Sequence, residues 1–106
     1  MNLEMQLKLA KNTPYYKYLG IEIVEADEGF AKLRLDFKDK LTHPFGYFNG
    51  GAIARMADSA GINAVLTTLN NEEKALTLEM KINYLLPVKD VDVVAEGKVI
   101  HKGKKF

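Results

Sequence analysis

The sequence predicts an α+β domain in which a curved antiparallel sheet wraps around one long central helix. Three observations lead there. Residues 20–37 and 74–86 alternate apolar and polar side chains with a period of two, the mark of strands with one buried face. Between them, the run from Ala52 to Leu69 is almost wholly apolar at helical spacing, and its polar residues are few and small. A helix that apolar is enclosed rather than laid on a surface, and a flat pair of hairpins cannot enclose it.

Each element has its own signal. Residues 2–11 place Leu3, Leu7 and Ala10 at spacings of four and three, a short amphipathic helix. Pro14 is expected to end it, because the residue before a proline is pushed out of the helical region. TPYYKYLG then reads as an aromatic-rich connector whose tyrosines cover one mouth of the core. In GIEIVEA, Ile21 and Ile23 alternate with Glu22 and Val24; in FAKLRLDF, Ala31, Leu33, Leu35 and Phe37 alternate with Lys32, Arg34 and Asp36. The intervening DEG supplies turn residues and predicts a hairpin. Residues 38–48, with Pro44 and Gly46, read as a loop.

Asn49 is a good N-cap, and the central helix is expected from Ala52 to Leu69. Its small residues Ala52, Ala54, Ala57, Ala60 and Gly61 let other backbone come close. KALTLEMKINYLLP predicts a long strand over 74–86, with Leu76, Leu78, Met80, Ile82 and Tyr84 on its buried face. Pro87 closes it. VDVVAEGKVI predicts a further strand, and HKGKK a turn with a charge cluster. An exposed sheet edge would remain, and pairing through it is one route to a dimer.

Length and composition agree. The chain has 106 residues, 47% apolar and 27% charged, which suits one domain over residues 1–106 and leaves no room for two. A net charge of +1 gives no global attraction to nucleic acid or membrane. Cysteine is absent, which excludes disulfides and thiolate metal sites and fits a reducing compartment. MNLEMQLKLAKN has neither the apolar core nor the cleavage site of a secretory signal. No apolar run approaches the roughly 20 residues that span a bilayer. The expected location is the cytoplasm.

The stretch HPFGYFNGGAIARMADSAG, residues 43–61, concentrates the chemistry. The first turn of a helix has amides without intrahelical partners, and the dipole makes that end electropositive. Gly50 and Gly51 remove side chains there, so a ligand oxygen could approach. Asp58 follows on the same helix. Together they suggest an oxyanion pocket with a carboxylate able to activate water or attack a carbonyl. Each residue also has a bland reading. Asp58 could be a surface acid paired with Arg55 at i,i+3, and His43 an exposed loop residue. Asn49 would cap the helix in any case, the glycines could serve packing, and Thr77 could be only a strand former. His43 and His101, the only histidines, lie on different elements, so no metal-ligand spacing is present.

The stretch resembles the signature of the hotdog-fold acyl-CoA thioesterases, in particular the PaaI-type (phenylacetate-degradation) group. That signature reads Asn-x-x-Gly-x-x-His-Gly-Gly, with an acid seven residues after the second Gly. Here the run is His43-Pro44-Phe45-Gly46-Tyr47-Phe48-Asn49-Gly50-Gly51, followed by Asp58. TLEMKINYLLPV and VVAEGKVIHKGKKF are similar to the family's later strands, so the likeness runs from about residue 15 onward. The resemblance implies hydrolysis of an acyl- or aryl-CoA. Asp58 would be base or nucleophile, and the Gly51 amide would polarise the thioester carbonyl. His43 and Asn49 would position water and acyl group, and Thr77 would assist with its hydroxyl. It implies a homodimer or homotetramer with the site at a subunit interface, no metal, and no cofactor beyond coenzyme A in the substrate. Lys98, Lys102, Lys104 and Lys105 could face the coenzyme's phosphates or simply be solvated.

Two departures stand out. His43 and Asn49 exchange the family's usual Asn and His; both residues donate and accept hydrogen bonds, so a network could survive the exchange. Family members also continue beyond KGKKF with two strands that fill the middle of the sheet. Without them the 74–86 strand would lack its neighbour. A second subunit filling the gap, a rearranged domain and a C-terminally shortened chain all remain open. So do two non-catalytic readings, an acyl-CoA-binding module and a truncated, inactive family member.

Overall fold

A computed structural model describes residues 1–103 of the chain. The elements run α1 (Leu3–Lys11), α2 (Pro14–Leu19), β1 (Glu22–Asp27), β2 (Phe30–Leu35), a 3-10 turn (Asp39–Leu41), α3 (Gly50–Leu66) and β3 (Val93–Lys98). The three strands form one antiparallel sheet in the order β1-β2-β3. The long helix α3 packs on its inner face, so the expected α+β arrangement of sheet on central helix is present.

Local chemistry accounts for most boundaries. Asn2 caps α1 by accepting the Met5 N–H at 2.9 Å. Pro14, read from sequence as the end of a helix, instead opens α2, and the expected connector is helical. Proline's fixed φ and missing N–H suit a first helical position, so one residue ends α1 and begins α2. The tyrosines of α2 diverge rather than forming one lid. Tyr16 accepts a hydrogen bond from Asn63 at 3.0 Å, Tyr18 lies under Lys40, and Tyr15 faces Arg55. The β1–β2 hairpin turns at Glu28 and Gly29, with φ of 44° and 81°. Both angles are positive, as a two-residue turn matching strand twist requires.

The core is the inner face of β2 against α3. Ala31, Leu33 and Leu35 meet Met56, Ala60 and Ala64, all essentially inaccessible to solvent. Burying each of the larger side chains contributes about 1.5–3 kcal/mol. The small residues of α3 do what their size suggests: β3 crosses so closely that a Cβ on Gly97 would collide with the Ala60 carbonyl. The start of β3 is tied to the end of β2 by Asp92. This carboxylate accepts the Phe37 N–H at 3.0 Å and pairs with Arg34 at 2.6 Å. First the Phe37 amide and then the Arg34 guanidinium hold Asp92 below the usual carboxylate range. Arg34 is in turn raised, chiefly by its hydrogen bond to Asp92.

Three further expectations need correction. The central helix runs Gly50–Leu66 rather than 52–69: it begins directly after the Asn49 cap, and Thr67 and Thr68 bond back to the carbonyls of Ala64 and Val65 as it ends. The last strand is Val93–Lys98, shorter than 91–100. The 74–86 segment is not a strand, for it has no ladder partner among the described residues. It lies along α3 with the first part of its supposed inner face outward: Leu76 is 87% and Leu78 85% exposed, while Ile82 is half-buried and Tyr84 reaches Gly50. Alternation records which face a strand would bury, and burial needs a neighbour to bury against. No helix among the described residues is long and apolar enough to cross a membrane.

Candidate active site

The loop before α3 anchors the helix start. Gly46, at φ 84°, lets the chain fold back so that the His43 N–H reaches the Tyr47 carbonyl at 2.9 Å. Phe48 is buried and meets Phe37 edge-on, with ring centres 5.4 Å apart. The N–H groups of Phe48 and Asn49 donate to the carbonyls of Val88 and Leu41, each at 2.7 Å. From that fixed position Asn49 caps α3, its Oδ1 accepting the Gly51 N–H at 2.8 Å. Tyr84 approaches from the 74–86 segment and donates its hydroxyl to the Gly50 carbonyl at 2.8 Å. His43 Nδ1 accepts the Phe45 N–H at 3.0 Å. His43, Tyr47, Gly50, Ile53 and Tyr84 line a cavity of about 260 Å³.

Asp58 lies farther along α3, 22% exposed. Thr77 donates to its Oδ1 at 2.5 Å. Arg55 Nη2 stands 3.5 Å from Oδ2, while Arg55 Nε donates to the buried Ser59 hydroxyl at 2.9 Å. The i,i+3 pair of the bland reading therefore exists, but beside a bond to Thr77 that leaves the carboxylate oriented rather than loose. Asp58 opens on a cleft of about 580 Å³ floored by Ala57, Gly61 and Ile62 and walled by the 76–80 and 98–101 segments.

The structure thus sorts the five residues singled out by sequence into two groups. Asn49 and Gly51 meet at the helix start, with His43 lining the cavity beside Gly50; Asp58 and Thr77 meet in the middle of the helix. Gly51 and Asp58 are seven residues apart, which at 1.5 Å per residue is about 10 Å along the axis and nearly the same face. The two concavities are distinct, and no lining residue is common to both. The sequence reading missed Tyr84 as a partner of the glycines. It placed Tyr84 on a buried strand face, and no local signal records a contact made 34 positions away. It also missed His101, which lines the Asp58 cleft with Lys98. Lys102 donates to the Thr68 carbonyl at 2.7 Å, and Lys104 and Lys105 lie outside the described residues. Among the described residues no three His, Asp or Glu side chains converge as metal ligands.

The sequence profile of the thioesterase superfamily matches residues 45–106, and the chain belongs to that superfamily. Its fold is the hotdog fold. An esterase-named protein of Saccharolobus solfataricus is 35% identical over 99 residues, covering 93% of this chain and 65% of that protein. A second from the same organism is 33% identical, and the chain covers 62% of it. The chain thus spans less than two thirds of the length of these two relatives. The 1,4-dihydroxy-2-naphthoyl-CoA hydrolase of Listeria monocytogenes is 33% identical over 86 residues, covering 81% of this chain and 70% of that protein. Among solved structures, a thioesterase of Haemophilus influenzae aligns with a TM-score of 0.86 at 27% identity, over 98% of this chain and 72% of its own. The E. coli PaaI protein from the phenylacetic acid degradation operon aligns at 0.83 and 26%, over 92% of this chain and 69% of its own.

Proposed function

We propose that this protein hydrolyses the thioester of an acyl- or aryl-CoA, at a site that two copies complete together. The observation that carries the reading is the separation on α3. A carbonyl under attack needs its nucleophile and its oxyanion donor each within about 3 Å. One helix cannot offer Gly51 and Asp58 to the same carbon across about 10 Å. Two α3 helices running antiparallel about a twofold axis can, each supplying what the other lacks. The face that would meet the partner is open for it, since Gly51, Ala54, Asp58, Gly61 and Val65 all retain exposure on the side away from the core.

In this site Asp58 takes a proton from water as the oxygen adds to the thioester carbon, or itself adds to give an anhydride that water then opens. The carbonyl electron pair moves onto oxygen, where the partner copy's helix-start amide holds it. Collapse expels coenzyme A as the thiolate, which is then protonated, and leaves a carboxylic acid. Thr77 orients the attacking carboxylate. The Asn49 side chain must leave the Gly51 N–H before that amide can bind substrate. This contact supports a second reading, a module that binds acyl-CoA without cleaving it.

Complementation tests the shared site. Gly51→Pro removes the donor at a first-turn position that tolerates proline, and Asp58→Asn removes the base. Each homomer is expected to be inactive toward short, long and aromatic acyl-CoAs. Subunits unfolded together and refolded as a mixture recover about a quarter of wild-type thiol release, because half the dimers are mixed and each has one intact site. A mixture no more active than its components overturns the shared site. A wild type that binds acyl-CoA saturably but releases no thiol selects the second reading.

A further inference from the structure

The Gly50 carbonyl and the Gly51 N–H belong to one peptide unit, and the structure grips it at both ends. The N–H donates to Asn49 Oδ1 at 2.8 Å, and the carbonyl accepts the Tyr84 hydroxyl at 2.8 Å. The Tyr84 ring lies over Gly50, close enough that a Cβ there would rest in van der Waals contact 3.5 Å from ring carbons. We propose that Tyr84 is a positioning residue that orients and polarises the Gly50–Gly51 peptide, making the Gly51 N–H a stronger donor to the thioester oxygen.

The physical basis is cooperativity. A hydrogen bond to an amide oxygen draws electron density from nitrogen and makes the N–H of the same unit more positive. The Gly50 carbonyl, at the first helical position, already has an intrahelical role, and the phenol adds a second donor from outside the helix. The ring could rest on Gly50 without a hydroxyl, but only the hydroxyl can polarise the peptide. The bond also fixes the plane of a peptide that two glycines would otherwise leave free to rotate. Preorganised donors of this kind act where charge develops, so the gain belongs to the transition state rather than to substrate binding.

The inference rests on the thioesterase reading, and its test separates the two. Tyr84→Phe keeps the ring and deletes the donor; 3-fluorotyrosine at position 84 keeps the ring and strengthens the donor. With whichever thioester the wild type cleaves, kcat is expected to fall about two- to eightfold in the Phe variant and to rise above wild type with 3-fluorotyrosine. KM and melting temperature stay unchanged. In amide NMR spectra the Gly51 proton moves upfield with Phe and downfield with 3-fluorotyrosine. Equal kcat in all three proteins overturns the proposal. So does a fall in kcat matched by a fall in melting temperature with no gain from fluorotyrosine, which marks Tyr84 as a tether for the 74–86 segment. If no thioester is cleaved by the wild type but the Gly51 proton still tracks the phenol, the polarisation stands and the hydrolase reading fails.

Discussion

At the start of α3 the candidate site is anchored first by backbone: the Phe48 and Asn49 N–H groups bond to the Val88 and Leu41 carbonyls, and the Asn49 side chain and the Phe48 ring then fix Gly51 and Phe37 against that frame. In the middle of α3 the site is held by side chains: Thr77 reaches Asp58 from a segment with no ladder partner among the described residues, and Arg55 stands by at 3.5 Å. The first half is held within one chain, with the Gly51 N–H free for a ligand only once Asn49 releases it. The second half depends on a stretch whose backbone groups have no sheet partner among the described residues. An oxyanion donor must be rigid, since its value lies in not reorganising as charge appears. The acid, which must gain or share a proton and admit water, tolerates a looser seat.

Four measurements can break or sharpen that contrast. The largest effect is expected at the acid: on the proposed reading, Asp58→Asn is expected to lower kcat/KM by about 10²- to 10⁴-fold while melting temperature holds. A drop in melting temperature of comparable weight would make Asp58 a structural residue and erase the middle half-site. Next is the donor, where Gly51→Pro lowers kcat by about 10²- to 10³-fold in a protein with an unchanged circular dichroism spectrum. Retained turnover would move the oxyanion contact to another amide. Thr77→Val, matched in shape but without a donor, lowers kcat about tenfold. The loss is set by one hydrogen bond, and an unchanged rate would mean that another group seats the carboxylate.

The smallest effect is a control away from both halves. Asp92 has a folded pKa below its ordinary value, held there by the Phe37 amide and Arg34. Its clasp therefore stabilises the fold above the ordinary carboxylate range and is lost as pH falls through the folded value. Asp92→Asn is expected to lower the melting temperature by roughly 1–2 °C near neutral pH, with turnover unchanged. Melts in acid below the carboxylate range should show no difference between the two proteins. A difference that grows in acid would reverse the assigned direction.

Much of this arrangement was legible in residue order. The hairpin of β1 and β2 follows from alternation and the Glu28–Gly29 turn, and α3 from its apolar run and its Asn49 cap. Both signals are local. The strand expected over 74–86 was misread because alternation describes a willingness to be half-buried, while a ladder requires a second strand at the right distance. Pro14 was misread because the same ring that ends one helix suits the first position of the next. Among the site residues, the Asp58–Thr77 pair was reached only through the family resemblance. The grip of Tyr84 on Gly50 was not reached at all.

The sequence alone determined that a central helix exists, that Asn49 caps it, that it is apolar enough to need a sheet around it, and that its tip carries two glycines before a single acid. These follow from local dihedral preferences and from the period of burial, which adjacent residues encode. Only the tertiary structure decided that Tyr84 meets Gly50, that Thr77 meets Asp58, and that Gly50 and the acid open on separate hollows. Those contacts join residues 19 and 34 positions apart, and their geometry is set by how far a rigid helix carries one side chain from another.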